Sequence, residues 1–241
     1  MREFFTRIED NQEVLIESDL NAYAYSQKYA WLLSIFIKCD TCNDNQEGFE
    51  EFLETKEALI IALEHNEKAK YVGSRVVDGW VELYFYANTS KGLENNIKHI
   101  LQPSAYVYES SVVKDNKWNF HYKNLTPTEL ELCHIQSDKI IFMLEDEDDD
   151  LSVARDVEHY LSFDTATQKK RFVENLSLDG FIFKDEISSD EFANGIALVK
   201  HHSVEKEEVQ KVVEILFNEV KKENGYYEGW STILVEDEIT V

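Results

Sequence analysis

Glycine, cysteine and positive charge are all scarce in this sequence, and each scarcity removes a class of chemistry. Eight glycines in 241 residues leave little material for loops that cradle phosphate. No P-loop, G-x-G-x-x-G, G-x-S-x-G or H-E-x-x-H pattern occurs. Three cysteines cannot all pair within the chain, and so small a number fits a reducing compartment. Lys and Arg total 24 against 48 Asp and Glu, a net charge of −24. Nucleic-acid affinity rests on cations that neutralise phosphates, so direct nucleic-acid binding is not expected. Long apolar runs are missing too. The best, Ala30 to Ile37, falls far short of the roughly 18 to 20 residues that a membrane helix needs. Met1-Arg2-Glu3 leads into no signal-type segment. The expectation is a cytoplasmic protein with no membrane association.

What is present is material for folding. At 43% hydrophobic residues the chain can bury a core in each of two ordinary domains. The acidity is uneven: residues 1–144 carry 14 basic and 23 acidic side chains, residues 145–241 carry 10 and 25. A partner drawn by this field is basic.

Along the chain, Phe4 to Ile8 and Val14 to Ser18 flank Asp10-Asn11 and predict an opening hairpin. Ala30 to Lys38 suits a central strand covered on both sides. Phe49, Phe52, Leu53, Leu59, Ile60 and Leu63 follow helical spacing between about Gly48 and His65. Tyr71 to Val77 and Trp80 to Ala87 join through Asp78-Gly79, a dipeptide that type I′ turns prefer. Thr89-Ser90 is positioned to cap a helix carrying Leu93, Ile97, Ile100 and Leu101, ended by Pro103. Tyr106 to Val113 and Trp118 to Tyr122 read as strand.

Thr126-Pro127 opens a helix that runs to Leu144. The six acids Glu145 to Asp150 repel one another and predict a solvated linker. Beyond them, Val157, His159, Leu161 and Phe163 alternate as a strand. Thr165 and Gln168 form a capping box, and Phe181 to Lys184 and Ile196 to His202 are two further strands. Ser203 is read as the cap of the longest helix in this half. Its stripe is Val209, Val212, Val213, Leu216 and Val220. A last strand opens at Tyr226.

Both halves therefore read β-α-β-β-α-β. The fold class is α+β: two tandem ferredoxin-like (split βαβ) sandwiches joined by a helical, acidic linker. The domains are 1–125, the helix and linker 126–150, and 151–241.

Four features compete for chemistry. Cys39-Asp40-Thr41-Cys42 has redox spacing, but the following helix starts several residues later, and Asp40 and Asp44 disfavour a thiolate. A zinc site from Cys39, Cys42 and Cys133 or His134 lacks a second close pair. His201-His202 point to opposite faces of a strand and cannot readily share a metal. Glu145 to Asp150 lacks the alternating ligands and central glycine of an EF-hand loop. No metal, cofactor or catalytic residue is assigned.

The second half resembles the regulator of ribonuclease E activity B family (RraB). The likeness lies in Met143-Leu144-Glu145-Asp146, Val157-Glu158-His159-Tyr160-Leu161, Gly180-Phe181 and Tyr227-Glu228-Gly229-Trp230-Ser231-Thr232, about residues 140–236. Ser231 stands where that family more often has glycine. The first half resembles an uncharacterised bacterial domain that often precedes RraB-like domains, through Tyr71-Val72-Gly73, Tyr84-Phe85-Tyr86-Ala87, Trp118-Asn119-Phe120 and Leu125-Thr126-Pro127-Thr128. The RraB resemblance implies a non-catalytic protein that binds a ribonuclease or its basic scaffold region and restrains RNA decay. Two alternatives stay open: a small-molecule or peptide binding module, and an enzyme with a site no motif reveals.

Strand alternation places the partner site. In an order 4-1-3-2 the first and last strands of the second half are antiparallel neighbours. With Val157, Leu161, Phe163, Ile233 and Val235 facing the helices, Glu158, Tyr160, Glu228 and Trp230 form one aromatic and acidic patch on the open face, either a partner site or a surface packed against the first domain with Trp230 as the anchor.

Overall fold

A computed structural model describes residues 2–39, 46–104, 106–176, 178–188 and 193–235. The chain divides into two compact units, Met1–Pro127 and Thr128–Val241. Each is a mixture of helices with its own antiparallel sheet, an α+β architecture. Among the described residues no helix is long and apolar enough to cross a membrane.

The first unit opens with a hairpin of β1 (Arg2–Glu9) and β2 (Gln12–Asp19). Its turn residues Asp10 and Asn11 both have positive φ, a conformation that Asp and Asn tolerate best after glycine. There follow β3 (Trp31–Lys38), α1 (Gln46–Glu64), β4 (Ala69–Val77), β5 (Trp80–Ala87), α2 (Leu93–Leu101) and β6 (Tyr108–Lys114). The sheet runs β1-β2-β4-β5-β3-β6. Counted from β3, four strands stand in the order 4-1-3-2, and the opening hairpin extends the sheet beyond β4. Asp78 (φ 49°) and Gly79 (φ 73°) make the β4–β5 turn with both residues left-handed, as type I′ requires. Leu33, Ile35 and Ile37 of β3 meet Leu59 and Leu63 of α1 and Leu93, Ile97 and Leu101 of α2 in one core.

Two local expectations fail for identifiable reasons. Helix α2 is capped by Gly92 (φ 77°) with no side-chain bond; Thr89 instead accepts from Lys91 N at 3.2 Å, closing its own turn. Trp118–Tyr122 is not a strand: Trp118 has φ 56° and His121–Leu125 form a π-helical turn. Asp115 organises it, accepting from Asn119 N (3.0 Å), Phe120 N (2.9 Å) and Tyr86 Oη (2.7 Å). Trp118 then stacks on Tyr86, ring centres 3.8 Å apart, and its indole donates to Tyr29 O at 2.7 Å. A buried indole with a satisfied N–H outweighs the extended preference of an aromatic run.

The second unit begins with α3 (Glu129–Asp146), opened by a capping box between Thr128 and Glu131. Next come β7 (Arg155–Ser162), α4 (Ala166–Glu174), β8 (Phe181–Ile187), β9 (Gly195–His202), α5 (Lys206–Lys222) and β10 (Tyr226–Thr232). The order β10-β7-β9-β8 is 4-1-3-2 in the unit's own count. The Thr165–Gln168 capping box forms as the sequence predicts, and the whole valine and leucine stripe of α5 is buried. Ser203 does not cap α5. Glu205 holds the N-cap position without a side-chain bond, and Ser203 Oγ donates to its carboxylate at 3.2 Å.

The acidic run is a helix end and a turn rather than a free linker. Glu145 and Asp146 finish α3, Glu147 is its C-cap and Asp148 turns the chain with φ 56°. The Asp149 side chain is fully buried; it accepts from Arg155 Nη1 at 2.6 Å and from Val235 N at 2.7 Å. Arg155, itself buried, also donates to Ile233 O and Asp150 O. One guanidinium thus neutralises Asp149 and ties the end of the run to the chain after β10, while Glu145 to Asp148 keep their side chains in solvent. Helix α3 packs against α5 and β10 and contributes Cys133, Ile141 and Leu144 to the core of this unit. It is an element of the second domain, not a connector.

Candidate protein-binding surface

Strand β10 pairs antiparallel with β7 as the chain order predicts, but its alternation is interrupted. Tyr227 faces Leu161 and Gly229 faces Tyr160, so Glu228 is an extra residue in a bulge. Gly229 sits at φ 133°, a backbone region open almost only to glycine. One inserted residue moves every later side chain of the strand to the opposite face. Trp230 consequently pairs with His159 and turns toward the helices, 4% exposed. Its indole N–H donates to Ser137 Oγ of α3 at 3.1 Å, and Ser137 donates onward to Cys133 O at 2.9 Å. Trp230 therefore leaves the proposed patch: it is a core residue that fastens α3 to the sheet.

The other three residues remain together on the open face. Glu158 is ion-paired with Lys184 of β8. Tyr160 Oη lies 2.6 Å from Ser231 Oγ and 3.4 Å from Glu158 Oε2. Glu228 accepts from Ser162 Oγ. The hydrogen bond from Lys184 to Glu158 raises the lysine's pKa above its ordinary value. On the same side, by register, stand Asp156, held 3.0 Å from His201 Nδ1, and the exposed Ile182.

The helix side of the sheet holds a polar chain that the sequence did not announce. Tyr227 Oη lies 2.9 Å from His159 Nδ1, His159 Nε2 lies 3.2 Å from His202 Nε2, and His202 Nδ1 lies 2.6 Å from Ser203 O. Only one proton assignment satisfies every atom in the neutral state. His202 donates from Nδ1 to the carbonyl, His159 donates from Nε2 to His202, and Tyr227 donates to His159 Nδ1. Burial, and then the His202 and Lys200 charges, push the His159 pKa down to about 3; burial also lowers that of His202. The chain is thus a satisfied neutral network inside a core. His201 and His202 take opposite faces, as strand alternation predicts.

A second acidic feature lies in the same unit, where the end of α3 meets the start of α5. Asp138, Glu145, Asp148, Asp149 and Asp150, with Glu205, line a hollow of about 810 Å³ where Lys206 is the one cation among the described lining residues. Lys206 reaches Asp138 Oδ2 at 2.8 Å. Asp138 Oδ1 and Asp149 Oδ1 are buried acceptors without a partner among the described residues. Burial alone would raise the Asp149 carboxyl, but the Arg155 and Val235 hydrogen bonds hold it below the usual carboxylate range.

Sequence comparison agrees with both halves of this description. The family model described as "Regulator of ribonuclease activity B" matches residues 134–232, and a "Family of unknown function (DUF695)" matches residues 2–126. The chain belongs to the DUF695 family and carries an RraB domain after it. No curated protein matches the sequence. The RraB match begins inside α3 and ends with β10, so the helix that Trp230 fastens is part of the RraB domain. Among the described residues no group of three or more His, Cys, Asp or Glu is placed to hold a metal ion. In the RraB domain Cys133 is free and buried, and burial pushes its thiol up to about 11, far from a nucleophile's range. In the DUF695 domain Cys39 is buried and disulfide-bonded; Cys42 lies outside the described residues.

Proposed function

We propose that the chain is a non-catalytic regulator whose RraB domain binds a ribonuclease, or that enzyme's basic scaffold region, and thereby restrains RNA decay in the cytoplasm. The observation that carries this reading is the RraB match on a domain with acids gathered in two places. One is the open face with Asp156, Glu158 and Glu228; the other is the hollow with Asp138, Glu145 and Asp149. Arginine suits both, because its planar guanidinium donates two parallel hydrogen bonds to a carboxylate. In the hollow, the exposed carboxylates of Glu145 and Asp148 are acceptors for it. On the open face, Tyr160 and Ile182 add the apolar contact that such an interface needs near its centre. The 4-1-3-2 order within each sheet supports reading both domains as ferredoxin-like sandwiches, with the open face of the RraB sheet as the side presented to a partner.

The test uses the full chain with a purified endoribonuclease that retains its basic scaffold region. The expected result is saturable binding and slower RNA cleavage, both weakened by Glu158→Gln with Glu228→Gln, or by Asp138→Asn with Glu145→Gln. Unchanged cleavage with no detectable association would sink the reading. Slowed cleavage that none of these substitutions affects would move the site elsewhere on the domain.

A further inference from the structure

The DUF695 domain contains a groove that the ribonuclease reading does not use. It lies between one flank of α1 and the helix-facing side of β2, β4 and β5, and has a volume of about 460 Å³. Small-molecule sites measure about 300–1,000 Å³. Helix α1 presents Phe49, Leu53 and Lys56 to it, spaced four and three residues apart and so on one face. Phe4, Leu15 and Val76 face them from the sheet. The rim residues Phe4, Leu15, Phe49 and Leu53 are 42–57% exposed, so this apolar surface is open to solvent.

Its inner end is charged. Glu17, only 4% exposed, points into the groove from β2. One carboxylate oxygen accepts from Lys56 Nζ, from Tyr71 Oη at 3.1 Å and from Ser74 Oγ at 3.2 Å. The other lies 3.7 Å from Arg2 Nη1. Both cations also lie over the Tyr71 ring, Arg2 at 4.8 Å and Lys56 at 5.5 Å. The backbone is shaped to hold Glu17 there. β4 bulges at Tyr71–Gly73, and a Cβ on Gly73 would lie 2.3 Å from Glu17 O, so only glycine allows β2 to come this close.

The lining chemistry points to the ligand. Lys56 is the cation that lines the groove, and Glu17 is the carboxylate it reaches. Lys56 has three ammonium hydrogens; one reaches Glu17, and the other two have no hydrogen-bond acceptor among the described residues. We propose that this groove binds an apolar monocarboxylic acid. The ligand's carboxylate accepts from Lys56 at the inner end, and its hydrocarbon body lies against Phe49, Leu53 and Val76. An amine would meet Lys56 and Arg2 as like charges. An alcohol would forgo the charge-assisted bond.

Decanoate, decylamine and decan-1-ol, titrated separately into the full chain by calorimetry below their aggregation thresholds, decide the matter. Decanoate should bind with one-to-one stoichiometry and most tightly. Lys56→Met should weaken decanoate about tenfold or more, the effect of losing one charged hydrogen bond, while leaving decan-1-ol unchanged. Leu53→Glu, at a half-exposed rim position that tolerates charge, should abolish decanoate binding. The proposal is overturned if decylamine binds as well as decanoate, if none of the three saturates, or if Lys56→Met binds decanoate like the parent chain. Should Lys56→Met fail to fold because Glu17 loses its partner, the ranking of the three ligands on the parent chain still decides.

Discussion

At the scale of single residues, Trp230 shows how one backbone irregularity overrules a pattern. The sequence identifies the last strand and its neighbour correctly, and alternation then sends Trp230 to the open face. The signal for the opposite outcome is Gly229, because a glycine inside a strand so often marks a bulge. Since Trp230 is core, Trp230→Ala should cost the RraB domain about 3–5 kcal/mol in urea denaturation. Glu158→Ala, a half-buried surface position in a single ion pair, should stay within about 0.5 kcal/mol. A Trp230→Ala chain as stable as its parent would refute the core assignment. The buried histidines make a second, pH-linked prediction. Their folded pKa values lie below the ordinary 6.5, to about 3 for His159, so the unfolded chain takes up protons first as the pH falls. Their stabilising contribution is complete above pH 6.5, declines as the pH drops below it, and is lost once the folded value is passed. His159→Gln should therefore flatten the dependence of unfolding free energy on pH between 6.5 and 4.5 by about one proton. An identical slope in both chains would show that the pair does not titrate this way. Neither the network nor its partners could be read from spacing, because it joins three strand positions separated by 43 and 68 residues.

Legibility at the scale of elements follows how local the cause is. Asp10-Asn11, Asp78-Gly79 and the Thr165–Gln168 box act over two to four residues, and each produces the turn or cap that it announces. The segments that mislead are governed from a distance. Trp118 is claimed by Tyr86 and by the Tyr29 carbonyl, and Asp149 by Arg155 and by the chain after β10. The same reasoning makes α3 indispensable to the domain it precedes, because it supplies Ser137 to Trp230 and Cys133, Ile141 and Leu144 to the core. A fragment of residues 128–241 should unfold cooperatively, whereas one starting at 151 leaves Trp230 and Tyr227 uncovered and should bind hydrophobic dyes or aggregate. Two equally cooperative fragments would restore α3 to the role of a connector. Within the longer fragment, Thr128→Ala should lower stability by about 1 kcal/mol through loss of the capping box.

Charge is the property of the whole molecule that composition alone made visible, and its distribution sharpens once the units are known. Residues 1–127 carry 13 basic and 20 acidic side chains, residues 128–241 carry 11 and 28. The RraB unit therefore has a net charge of −17 against −7 for the DUF695 unit, and it accounts for most of the field a basic partner meets. Such a field acts chiefly on encounter. It raises the association rate of an oppositely charged protein and is screened beyond a Debye length, about 10 Å at 0.1 M salt and 3 Å at 1 M. In the proposed complex, contacts made after docking, such as an arginine in the α3–α5 hollow or an apolar side chain on Ile182, would be shielded from solvent and govern dissociation instead. Raising salt from about 0.02 to 0.5 M should accordingly slow association with a basic scaffold segment by roughly tenfold or more while changing its dissociation rate little. Neutralising Asp138 and Glu145 inside the hollow should speed dissociation. Neutralising Glu207 and Glu219, outside both acidic sites on α5, should lower only the association rate. Stopped-flow binding at several salt concentrations separates these terms. An association rate indifferent to salt would mean that the acidic surface does not draw the partner in and that apolar contact on the open face carries the complex.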